Sequence, residues 1–186
     1  IDLLGRRKDL MSTTKTFHIF GVFDETLLTK VGSDFLEAAH GISGGFGVVP
    51  RINVFINSPG GYTAVLRTFL DGMEVAKARG VEVATFVTGD AFSCGSMLAV
   101  AGTKGLRFMS PTARHLLHYG WTSAQGTNPT EFDRDSDASQ RHFEFVVEHY
   151  RRNSSVPKLR KKLRADMLYV GLDQALDWGL ADRPMF

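Results

Sequence analysis

A chain of 186 residues with 43% hydrophobic side chains suits one α/β domain around a single core. Basic side chains number 22 against 20 acidic, and no stretch joins dense Lys/Arg to spaced aromatics, which argues against a nucleic-acid protein. One cysteine excludes an intrachain disulfide and fits a reducing compartment, while no apolar run reaches the roughly 18 residues that a membrane span needs.

Residues 1–15, IDLLGRRKDLMSTTK, lack the continuous apolar core of a secretory signal and read as an N-terminal extension with an internal Met11. A single domain then fills 16–186. TFHIFGVF (16–23) reads as a buried first strand. Asp24 and Thr26 are candidate caps for a helix carrying Leu27, Val31, Phe35 and Ala38 at helical spacing. SGGFGVVP (43–50) is a glycine-rich loop, and RINVFIN (51–57) is a strand ending in a sharp SPGG turn. Val65, Leu66, Phe69, Leu70, Met73 and Ala76 mark one helix face, with Gly80 as a stop. VEVATFV (81–87) is a strand, and TGDAFSCGSMLAVAG (88–102) passes through a tight turn into a small-residue helix. RHLLH (114–118) is a short strand, and 119–129 a polar loop. A long charged helix follows near 130–153, then a basic helix at 157–164 and a last helix at 175–182 capped by Gly179. Alternation of this kind predicts βαβ units and a largely parallel sheet.

Two glycine-bearing turns follow strands, NSPGG at 57–61 and GDAFSCGS at 89–96. Backbone N–H groups at strand-to-helix turns are exposed and can converge on a negative oxygen. Ser93 sits where the second turn becomes a helix, with small Gly95 two residues on, as in a nucleophile elbow but without the G-x-S-x-G spacing. Read alone, a serine there is more commonly a helix cap. A serine hydroxyl needs a base to become a nucleophile. His118, one of six histidines, ends a strand and opens a loop, and His115 lies on that strand's other face by alternation. Asp166, between the basic helix and MLYVGL, is the best placed of 13 aspartates to orient an imidazole, although any single aspartate is as readily a surface charge. Ser96 is a rival nucleophile, ranked below Ser93. DRDSD (133–137) reads as a solvated helix face rather than a metal site.

Taken in order, these segments resemble the proteolytic subunits of Clp ATP-dependent proteases. INSPGG (56–61), GDAFSCGSMLAVAG (89–102), RHLLH and ADMLYVGLDQALDWGLAD (165–182) are each similar to a segment of that family, over roughly residues 17–182. The 25-residue step from Ser93 to His118 agrees with the family, and the 48-residue step to Asp166 is about one residue off. The resemblance implies an α/β ClpP/crotonase-like fold of repeated ββα and βαβ units, with a mainly parallel sheet flanked by helices. It implies a serine endopeptidase with Ser93 as nucleophile, His118 as base and then acid, and Asp166 as orienting carboxylate. The backbone N–H groups of Gly61 and Cys94 would form the oxyanion hole. No cofactor or metal is needed. Unfolded polypeptide or peptide substrates, stacked heptameric rings, an AAA+ Clp ATPase partner, an axial N-terminus and a cytoplasmic location are further implications.

Several segments depart from the family pattern. The loop after His118, YGWTSAQGTNPTEF, keeps QG at 125–126 but lacks Gly-Gly, HGISGGFGVVP is longer than usual, and Asn53 stands at a position that is aromatic in the family. Phe132, Phe143, Val146 and Val147 on the long helix fit either a subunit contact or packing within the subunit. The other readings are a phage head-maturation peptidase, an inactive paralogue in mixed rings and a crotonase-like acyl-CoA enzyme.

Overall fold

The computed structural model describes residues 13–44, 47–120 and 129–186. Met11, most of the expected N-terminal extension and the QG pair at 125–126 lie outside it. Strands β1 (Thr14–Phe23), β2 (Arg51–Gly61), β3 (Glu82–Phe92) and β4 (Arg107–Met109) run parallel side by side, with β7 (Arg183–Pro184) beyond β4. The sheet branches at β3: Thr85–Val87 pair with β4, while Asp90–Phe92 pair with β5 (Arg114–Leu117). An antiparallel partner, β6 (Leu168–Val170), closes the second branch.

Helices link the parallel strands, as parallel pairing demands. Between β1 and β2 lie α1 (Glu25–Leu27), a π-helical turn (Leu28–Gly32) and α2 (Ser33–Gly41). Asp24 caps this helix, its carboxylate accepting the Leu27 N–H at 2.9 Å. Thr26 is inside α1 and is not a cap. α3 (Thr63–Ala78) joins β2 to β3, and α4 (Cys94–Val100) follows β3. α5 (Pro129–Asn153), α6 (Leu159–Ala165) and α7 (Leu172–Asp177) complete the chain, Gly179 taking φ 62° just past α7. Among the described residues no helix is long and apolar enough to cross a membrane.

Three further expectations need correction. The last helix spans Leu172–Asp177 rather than 175–182, because the chain leaves the helix at Trp178 and Gly179 takes a positive φ. β1 is not a buried strand: only Ile19 and Phe23 are fully buried, because it lies at the sheet edge. SPGG is not a turn after β2, because pairing with β1 runs on past a bulge to Gly60 and Gly61. The covered side of the sheet packs Ile52, Val54 and Ile56 against Phe35, Leu66, Phe69 and Leu98. On the other side one ring from each of four strands, His18, Phe55, Phe86 and Phe108, stacks in register at 5.5, 4.6 and 4.9 Å. Phe143, Val146 and Val147 are buried within the subunit, so that much of the long helix's apolar face is accounted for by the chain's own core. The Phe132 side chain lies outside the description.

Candidate active site

β3 ends at Phe92, and the next residue turns the chain into α4. Ser93 makes that turn at φ 52° and ψ −115°, a backbone state costing a non-glycine residue about 1–3 kcal/mol. The surroundings hold it there. Its N–H donates to the Leu116 carbonyl at 2.9 Å, tying the turn to β5, and its carbonyl accepts the Met97 N–H at 3.0 Å. α4 itself is wholly buried, and four side chains fasten it. His149 meets the Met97 carbonyl at 2.7 Å, and Thr85 donates to the Ala99 carbonyl at 2.8 Å. Arg107 reaches the Val100 carbonyl at 3.5 Å, and Ser96 pairs with His115 Nδ1 at 2.9 Å. The turn therefore sits on a braced element, as a reacting group requires.

The glycine end of β2 presses against it. A Cβ on Gly60 would lie 2.7 Å from the Ser93 Cβ, and one on Gly61 2.5 Å from the Phe23 carbonyl oxygen. Both glycines also hold positive φ, at 101° and 146°, so no larger residue fits without strain. The Cys94 Sγ–H donates to the Gly61 carbonyl at 3.2 Å, which brings the serine turn into direct contact with the end of β2. The thiol thus points at the glycine end of β2. Burial pushes its pKa up, so Cys94 stays a thiol at neutral pH and a weak nucleophile.

His118 follows β5 and is half-buried. Burial, and secondarily the nearby His142, hold its pKa below 6.5, so the imidazole is neutral near pH 7 and able to take a proton. The β5–β6 register pairs Leu117 with Leu168, and one further step along the two chains brings His118 level with Met167, beside Asp166. His118 and Asp166 line one cavity of about 210 Å³ with Tyr119, Leu163 and Arg164. Ser93 is not in that wall. Asp166 is exposed, and its Oδ1 accepts the Met167 N–H at 2.7 Å. Among the described residues no hydrogen bond joins Ser93 to His118 or His118 to Asp166.

Ser96 is fully buried beside His115, which removes it from solvent. His115 is fully buried too, and burial, with Arg107 nearby, lowers its pKa to about 4. His142 had escaped the sequence reading. It lies against the backbone just after His118, its Nε2 3.4 Å from where a Gly120 Cβ would stand. Its seven-residue separation from His149 puts both on one face of α5, a signal present in the sequence. The described residues include no group of His, Cys, Asp or Glu able to hold a metal.

A family model described as Clp protease matches residues 49–185. The "ATP-dependent Clp protease proteolytic subunit" of Deinococcus radiodurans is 30% identical over 136 residues, covering 72% of this chain and 64% of the relative. The "ATP-dependent Clp protease proteolytic subunit 2" of Streptomyces coelicolor is 31% identical over 134 residues, covering 71% and 60%. The matched stretch thus spans less than two thirds of either relative. With its parallel sheet, and with the glycine end of β2 in direct contact with the serine turn, the chain belongs to the Clp protease family.

Proposed function

We propose that this chain is a serine endopeptidase that hydrolyses unfolded polypeptides by an acyl-enzyme pathway. The observation that carries the reading is Ser93, held at a strained strand-to-helix turn against a double-glycine segment. Ser93 Oγ attacks the peptide carbonyl while His118 takes its proton. The oxyanion is held by the Gly61 and Cys94 backbone N–H groups, and the amine leaves with the proton from His118. Water then attacks the acyl-enzyme as His118 takes its proton, and His118 returns that proton to the departing Ser93 Oγ, releasing the carboxylic product and restoring Ser93. Asp166 orients the imidazole and offsets its charge. This requires His118 to close on Ser93 and Asp166 when substrate binds, since catalytic hydrogen bonds often tighten only in the Michaelis complex. The lack of those bonds also suits an inactive paralogue, and one experiment separates the two readings.

Because the neutral imidazole is the base, kcat/KM is expected to fall as the pH drops through a midpoint under 6.5, the ordinary histidine value, in the direction that burial moves His118. His118→Gln is expected to lower kcat/KM at neutral pH at least about 100-fold. Full activity in His118→Gln refutes the assignment, and a wild-type chain that cleaves no unfolded polypeptide favours the inactive paralogue.

The working assembly in this reading is a cytoplasmic chamber of two stacked heptameric rings fed by an AAA+ ATPase. The relatives' names, which call them subunits of ATP-dependent proteases, support an oligomer and an ATPase partner, and the exposed apolar side chains of β1, Phe20 and Val22, offer a surface for contact. Sedimentation at about fourteen times the 20.6 kDa chain mass is expected, and a clean monomer contradicts the chamber.

A further inference from the structure

The basic stretch after α5 has no part in the chemistry above. Residues 151–164 hold seven Lys or Arg and no Asp or Glu. The chain folds them around an open groove of about 590 Å³. Arg151, Lys158, Arg160, Lys161 and Arg164 form its rim, and Val156 and Leu159 its aliphatic floor. Glu144 neutralises Arg160 through hydrogen bonds of 2.7 and 2.6 Å. Arg151, Lys158 and Lys161 are exposed and meet no carboxylate among the described residues. Clustered cations repel one another, so this face favours an anionic occupant.

Two observations bear on what that occupant is. Arg164 lines both this groove and the cavity that holds His118 and Asp166, so the two adjoin. Lys158 holds a left-handed backbone, φ 53° and ψ 33°, where glycine would be unstrained, so a cationic side chain is kept at a conformational cost. Among the described residues no aromatic ring lines the groove for base stacking. Lys162 covers Trp178 at 3.8 Å, and Arg164 covers Phe143 at 4.9 Å. An aliphatic floor under a cationic rim suits a peptide bearing acidic and apolar residues better than a nucleic acid.

We infer that this groove is a docking subsite for acidic residues of a polypeptide substrate, placed a short distance along the chain from the scissile bond. The inference rests on the peptidase reading, which supplies the polypeptide. Its test uses binding, so it does not depend on turnover. The full Ser93→Ala chain is titrated against a labelled ten-residue peptide carrying three Glu, and against the same peptide with Gln in their place. The acidic peptide is expected to bind about tenfold more tightly at low ionic strength, with the advantage shrinking as salt is raised. Arg151→Ala, Lys158→Ala and Lys161→Ala combined should remove the preference while the Gln peptide binds as before. Lys158→Gly, which relieves backbone strain, should weaken acidic binding alone and checks that the loss is not misfolding. Equal affinities overturn the inference, as does a preference surviving the triple substitution. A single-stranded oligonucleotide binding the groove more tightly than the acidic peptide also overturns it. If the preference holds but the wild-type chain, with Ser93 intact, hydrolyses no polypeptide, the peptidase reading is contradicted instead.

Discussion

Ser93→Ala is expected to lower peptide hydrolysis by about 10⁴-fold or more while leaving the thermal midpoint unchanged. The chemical half follows from the role of the hydroxyl: without it no acyl-enzyme forms, and only binding and oxyanion stabilisation remain. The structural half follows from the turn. Alanine keeps the Cβ, so it holds φ 52° at the same strain, and the Ser93 N–H to Leu116 bond is a backbone bond that the substitution does not touch. A variant that unfolds tens of degrees lower would mean that the serine hydroxyl is structural. Activity at the wild-type level would mean that the nucleophile lies elsewhere.

The second large effect lies behind the site. Asp182→Ala is expected to destabilise the fold by about 3–5 kcal/mol, because it leaves a buried guanidinium without its counter-charge. Arg107 and Asp182 pair through two side-chain hydrogen bonds of 2.8 and 2.5 Å, with the two side chains only 5% and 18% exposed. Arg107 also donates to the Asn153 carbonyl at 2.5 Å, and Asp182 accepts the Gly105 and Arg107 N–H groups. The pair thus fastens the C-terminal tail to β4, to the end of α5 and to α4. Burial acts to raise the Asp182 pKa, but the hydrogen bonds and charge of Arg107, with the two backbone N–H groups, outweigh it and hold the pKa below the ordinary carboxylate value. The midpoint should fall by on the order of 10 °C in calorimetry. Arg107→Met combined with Asp182→Asn removes both charges and keeps an acceptor for the two N–H groups, so it should be the more stable of the two variants. A change under about 0.5 kcal/mol in Asp182→Ala, the range of an ordinary surface substitution, contradicts this role.

The parts legible in the sequence were those with a repeating signal or a local steric demand. α3 shows the helical spacing of Val65, Leu66, Phe69 and Met73, and these residues do face the core. The turn at Ser93 was visible because small residues surround it. β4, β6 and β7 were missed because two or three residues are too few for any periodicity to show. β1 was misread because Phe17, Phe20 and Val22 are as apolar as a buried strand, and only its edge position leaves one face uncovered. The Arg107–Asp182 anchor joins residues 75 apart, and no local rule links them, although Asp182 closes the stretch that resembled the family's C-terminal segment. His118 and Asp166 were selected without knowing that β5 and β6 pair, and that pairing is what brings them to one cavity. The distance between Ser93 and His118 was not legible, since it depends on how far the turn and the strand end close on each other.

The most direct test of the central claim is to treat the wild-type chain with a fluorophosphonate and map the adduct by peptide mass spectrometry. One covalent adduct on Ser93, forming faster as the pH rises through a midpoint under 6.5, is the predicted result. An adduct on Ser96 or any other residue, or none on a chain that hydrolyses peptides, would contradict it.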